Sequence, residues 1–169
     1  MKLSFRLLSF IGFLICAGAM GFALYLEFGL HLEPCRMCIF QRVAMIGTGF
    51  FFLLGFIHGP KAWGRWVYSV LAMLTTILGA LIAARHVWLQ SLPEDQVPAC
   101  GGTLSWLLSS GMPINEVVMM VLKGDGDCAK IVGEWLGITL PGWTMIGFIA
   151  LFGYALSLPI LAKAFEKKA

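Results

Sequence analysis

Charge is what this chain has least of. Aspartate, glutamate, lysine and arginine together make up 12% of its 169 residues, about half the share usual in a water-soluble domain. Before position 94 the only acids are Glu27 and Glu33. So little charge excludes a soluble globular domain. A net charge of +3 gives no basis for a nucleic-acid partner. Internal repeats and low-complexity tracts are also missing, which excludes solenoids and fibrous arrays.

In place of charge there is hydrocarbon. Hydrophobic residues make up 59% of the chain and the mean hydropathy is +0.86. Uncharged stretches run over 7–26, 43–57, 66–84 and 135–162. A spanning helix needs about 20 apolar residues. The fourth stretch is too long for one straight span, and Pro141-Gly142 is read as separating an interfacial lead-in from the span proper. The expected spans are 8–27, 40–58, 66–85 and 143–162 within a single membrane domain, 1–169. The expected loops are 28–39 and 86–142 on the outer (periplasmic) side and 59–65 on the cytoplasmic side. The first stretch starts like a signal peptide, with Lys2, Arg6 and small residues at Ala17-Gly18-Ala19. Its apolar run continues past Ala19, so it is read as a retained helix. The fold expected is all-α: an antiparallel four-helix transmembrane bundle with a long periplasmic loop. That loop carries a short interfacial helix over 104–122, where Pro113, Asn115 and Glu116 rule out a further span.

The few basic residues orient this bundle. Lys2, Arg6, Lys61, Arg65, Lys163, Lys167 and Lys168 fall on one side and meet a single acid, Glu166. Basic residues in short loops stay cytoplasmic, so both termini are expected there. Cys35, Cys38, Cys100 and Cys128 then share the opposite side, which in a bacterial cell is the oxidising periplasm. The fifth cysteine, Cys16, lies within a span and reads as a small buried hydrophobe.

Four outer cysteines allow three pairings. The C-x-x-C spacing favours Cys35–Cys38, which leaves Cys100–Cys128. Half of a zinc site is the competing reading of Cys35 and Cys38. Cys100 and Cys128 supply no second close pair, so no metal is expected. Cys35 and Cys38 lie at the start of the second span, where the positive end of a helix favours a reactive thiolate. Arg42 follows Cys38 by one turn, on the same face, and an arginine at the lipid edge is a functional suspect. It reads either as a partner for a Cys38 thiolate or a carbonyl oxygen, or as a headgroup anchor. Arg85 and His86 end the third span on the same side, where an imidazole can donate a hydrogen bond and exchange protons. Cys100 sits in Pro98-Ala99-Cys100-Gly101-Gly102, a segment whose disulfide an incoming protein thiol could reach.

Four pieces carry a family resemblance. They are Leu32-Glu33-Pro34-Cys35 through Cys38 to Arg42; Arg85-His86-Val87-Trp88-Leu89-Gln90; Gly126-Asp127-Cys128-Ala129; and Leu136-Gly137-Ile138-Thr139-Leu140-Pro141-Gly142-Trp143. In this order they resemble the DsbB family of bacterial disulfide bond formation proteins. The resemblance implies a bacterial inner-membrane protein-dithiol:quinone oxidoreductase. It would reoxidise a periplasmic thioredoxin-like oxidase of the DsbA type and reduce ubiquinone or menaquinone. It implies that the oxidase attacks Cys100, that Cys128 then moves to Cys35, and that Cys38 is freed as a thiolate in contact with the quinone. Arg42 and His86 match positions flanking that quinone. The alternatives are a quinone reductase like vitamin K epoxide reductase, where the quinone-side pair falls late in the bundle, and a disulfide-stapled membrane binding or transport protein.

Overall fold

The computed structural model describes residues 4–32, 34–61, 63–93, 96, 111, 113, 115–116, 118–119, 126–129, 131 and 133–167. Among them are four helices long and apolar enough to cross a membrane. α1 is Phe5–Leu24, prolonged by a π-helical turn over Tyr25–Gly29. α2 is Arg36–His58, α3 is Trp63–Gln90 and α5 is Leu140–Lys167. A one-turn α4, Gly126–Ala129, and a two-stranded hairpin, β1 (Glu134–Trp135) and β2 (Ile138–Thr139), precede α5.

Local chemistry sets the helix ends. Ser4 caps α1, its hydroxyl accepting from the Leu7 N–H. α2 ends at Gly59, whose φ of 54° is left-handed; glycine occupies that region at no steric cost. Pro60 follows directly and cannot extend the helix.

The bundle closes around Phe52, Ala72, Phe148, Ala155 and Leu158, all buried. α3 packs between α2 and α5, and α1 lies mainly on α2. Polar links cross the interior: Tyr154 Oη donates to the Leu8 carbonyl at 2.7 Å, and the Thr48 and Thr75 hydroxyls meet at 2.9 Å. In lipid such groups must find protein partners. The outward faces are apolar, with Ile11, Ile15, Ile46, Phe50, Leu74, Leu81, Ile149 and Ile160 exposed. An apolar face on this scale fits lipid.

Four long apolar helices lie over the four expected stretches, with different edges. α3 continues past residue 85 to Gln90 because nothing in Val87-Trp88-Leu89 breaks a helix and Leu89 is fully buried. Arg85 and His86 therefore lie inside α3. α2 begins at Arg36, not at residue 40, which brings Cys38 into its first turn. Pro141 does not separate a lead-in from α5. It stands in the first turn, where a missing N–H costs nothing, and α5 starts at Leu140. The supposed lead-in is the hairpin, pairing Glu134 with Thr139 and Trp135 with Ile138 around Leu136 (φ 55°) and Gly137 (φ 76°). Most of the expected interfacial helix over 104–122 lies outside the described residues; within it, 115–116 and 118–119 are helical.

α3 and α5 approach closely at Gly79: a Cβ there would meet the ring of buried Phe148 at 2.4 Å. Gly79→Val should destabilise the bundle by about 1–3 kcal/mol, read as a lower midpoint of thermal unfolding in detergent. An unchanged midpoint would show that the helices can part there freely.

Candidate redox site

Cys35 is the N-cap of α2. Its extended backbone (φ −66°, ψ 166°) turns its sulfur back to accept from the Cys38 N–H at 3.3 Å. A sulfur used in this way is held over the first helical turn, where Cys38 sits. The two sulfurs are 2.9 Å apart, and both residues are free thiols.

A third sulfur arrives from far along the chain. α4 seats Cys128 in an apolar patch made by Met37, Ile82 and Leu89, with Phe40 and Leu92 beside it. Cys128 is 1% exposed. His86, buried on α3, bridges the groups: its Nε2 lies 3.1 Å from the Cys128 carbonyl and 3.6 Å from the Cys35 sulfur. The Cys35 and Cys128 sulfurs and a ring nitrogen of His86 lie within 4.8 Å of one another. Two thiols and an imidazole are also of the type that ligates soft metals. The Cys128 thiol is pushed well up from its ordinary range, first by its hydrogen bond with Cys35 and then by burial. It is kept as a proton-bearing thiol.

Arg42 sits one turn beyond Cys38. Its guanidinium forms an ion pair with Glu27 and donates from Nη2 to the Ala23 carbonyl at 3.2 Å. Both partners belong to the end of α1. The arginine is thus tied to protein over the lipid edge, and it does not reach out as a headgroup anchor would.

Between these groups lies a cavity of about 310 Å³. Cys35, Cys38, Gln41, Arg42 and His86 line one part of it, and Met20, Ala23, Met45 and Phe148 give it apolar walls. A few polar groups converging on an apolar pocket of this size suit a small flat molecule with hydrogen-bond acceptors at its rim.

Of the expected site residues, Cys35, Cys38, Cys128, Arg42 and His86 are thus brought together. Cys100, and with it the Cys100–Cys128 pairing, lies outside the described residues. Cys16 is buried in the bundle against Gly49, and Arg85 stacks on Trp88 at 4.0 Å and does not line the cavity. Three participants were missed from the sequence. Glu27 pairs with Arg42. Gln41 places its amide 3.2 Å from His86 Nδ1, and Thr144 donates to the Gln41 oxygen at 2.9 Å. Gln41 had a usable signal, since it follows Cys38 by three residues on the same face. Thr144, 103 residues further on, had none.

The chain matches the family model described as Disulfide bond formation protein DsbB over residues 5–158, which takes in every residue of this site. The chain belongs to the DsbB family. Among curated DsbB relatives, each named Disulfide bond formation protein B, the one from Nitrosococcus oceani is 46% identical over 151 residues, covering 89% of both chains. The one from Hahella chejuensis is 46% identical, covering 89% of this chain and 92% of the relative. The one from Xanthomonas euvesicatoria is 47% identical, covering 90% and 89%.

The state of Cys128 in this DsbB-family site has a direct readout. Removing its partner by Cys35→Ala takes away the acceptor that stabilises the protonated thiol. The pH midpoint for Cys128 alkylation, followed by mass spectrometry of the labelled peptide, should fall toward the ordinary thiol value. A fixed midpoint would leave burial as the whole cause.

Proposed function

We propose that the chain is a disulfide-generating oxidoreductase of the bacterial inner membrane. It takes two electrons from a thioredoxin-like oxidase of the DsbA type in the periplasm and delivers them to ubiquinone or menaquinone. One observation carries this reading: the Cys35 sulfur has two sulfur neighbours, Cys38 on its own helix and Cys128 from the distal segment. A sulfur so placed can exchange one partner for the other with little movement.

The steps balance as two-electron exchanges. A thiolate of the reduced partner attacks Cys100 of a Cys100–Cys128 disulfide, and Cys128 leaves with the electron pair. Cys128 then attacks Cys35 of a Cys35–Cys38 disulfide. The Cys35–Cys128 bond forms, and Cys38 leaves as a thiolate on the cavity wall. A sulfur of high proton affinity is intrinsically the stronger nucleophile, and the burial that helps raise the Cys128 thiol favours such a sulfur once it is released as a thiolate. The positive end of α2 favours the departing Cys38.

The residues present fit a quinone. The cavity has apolar walls, and its polar groups gather beside Cys38. When bound, a quinone supplies a two-electron, two-proton acceptor. Arg42, fixed by Glu27, would hold a carbonyl oxygen, and His86 would hold a proton within reach of the same space. The C-x-x-C stands at the end of α2 opposite Gly59, Lys61 and Arg65. The basic loop at that other end supports the orientation with cysteines outside and termini inside.

Purified protein with a reduced partner and quinone, followed by quinone absorbance, tests the whole reading. Cys38→Ser should abolish quinone reduction, and unchanged turnover would remove Cys38 from the path. Cys100→Ala should prevent the covalent complex with the partner, and a complex surviving through Cys128 would reverse their roles. Arg42→Ala should raise the KM for quinone about tenfold or more, the worth of a hydrogen bond from a charged group. An effect on the partner's KM alone would move Arg42 out of the quinone site.

A further inference from the structure

His86 is the point where three helices and the Cys128 segment meet, and its neighbours dictate its proton. The Cys128 carbonyl can only accept, so at 3.1 Å the facing Nε2 must carry hydrogen. In a neutral ring Nδ1 is then a bare acceptor, and its partner at 3.2 Å is the Gln41 amide. Gln41 must therefore turn its NH2 toward the ring and its oxygen away. The oxygen meets a donor, the Thr144 hydroxyl, at 2.9 Å. Every acceptor in this chain has one donor, from α5 through α2 and α3 to the Cys128 backbone.

We infer that Gln41 and Thr144 are positioning residues that hold the His86 Nε2–H on the Cys128 carbonyl and so dock the Cys128 sulfur beside Cys35. Gln41 is 4% exposed and His86 2% exposed, so each depends chiefly on protein partners. The set also tolerates a charged ring. If Nδ1 gains a proton, a half-turn of the Gln41 amide presents its oxygen to the ring and its NH2 to Thr144. The Thr144 hydroxyl then donates to the Pro141 carbonyl, 2.8 Å away. The titratable groups around the ring are the Cys35 and Cys128 thiols. In both protonation states Nε2–H stays on Cys128, and Nδ1 is the atom that gains or loses the proton.

The functional part rests on the reading that Cys128 attacks Cys35, but the geometry can be tested without quinone or partner. The chain has three histidines, so His31→Asn with His58→Gln leaves His86 alone in protein labelled with 15N-histidine. The reduced full-length protein in detergent should give nitrogen shifts of a single neutral tautomer protonated at Nε2. Gln41→Leu, which removes the donor at near-constant volume, should populate the Nδ1–H tautomer at least tenfold more. Thr144→Val should do so more weakly, and Thr144→Ser should restore the parent spectrum. A parent ring protonated at Nδ1, or a tautomer indifferent to Gln41→Leu, would overturn the assignment. The docking role is read separately, in a Cys38→Ser, Cys100→Ser background, as the rate at which a mild oxidant forms the Cys35–Cys128 bond. Gln41→Leu should slow that rate about tenfold, the loss expected for one buried hydrogen bond. An unchanged rate alongside a shifted tautomer would reduce Gln41 to a structural contact.

Discussion

The site depends on one shared sulfur. Cys35 caps a helix, and the capping hydrogen bond fixes its side chain where Cys38 must follow one turn later. The same sulfur faces a second thiol delivered by a four-residue helix. A disulfide sulfur can be bonded to only one partner at a time. Two neighbours within reach give that sulfur a choice of partner, the basis of the proposed exchange, and the apolar seat under Cys128 keeps the second neighbour in place. Without the cap, Cys35 would be an ordinary loop thiol with free rotation about its side-chain bonds.

The membrane explains why the polar groups gather at one end. Each buried polar atom in hydrocarbon needs a protein partner. The chain meets much of this need with cross-helix pairs: Arg42 with Glu27 and the Ala23 carbonyl, Gln41 between His86 and Thr144, and Tyr154 with Leu8. Arg42, Gln41, His86 and Thr144 line the cavity, so what satisfies buried polarity also places polar groups on its wall. The π-helical turn at Tyr25–Gly29 is part of this. Such turns recur at functional sites, and this one carries the Glu27 that fixes Arg42.

Much of this was legible in the sequence, for identifiable reasons. Spans show because lipid forces long runs without charge. Cys35, Cys38 and Arg42 show because one helix joins them at short spacing, and the family pattern adds Cys128 and His86. The partners of those residues do not show. Glu27, Gln41 and Thr144 each act across helices, and sequence order says nothing about which faces meet. The hairpin before α5 was hidden because each strand is two residues long and its turn uses Leu136-Gly137, not the usual asparagine–glycine. Pro141 was misleading because proline breaks a helix in its interior yet is welcome in its first turn.

The cavity is walled on one side by α1, through Met20, Phe22 and Ala23, and on the other by α5, through Trp143, Gly147 and Phe148. These two helices touch less than the other packed pairs; Phe22 is 60% exposed, and a Cβ on Gly147 would meet nothing within 4 Å. In a bilayer that seam would open toward the acyl chains. The lipid-soluble acceptor proposed above would then enter sideways through it without passing through water. Its supply would be set by lateral diffusion and by its abundance per lipid, so the pool feeding the site would be counted per area of membrane and not per volume of cell.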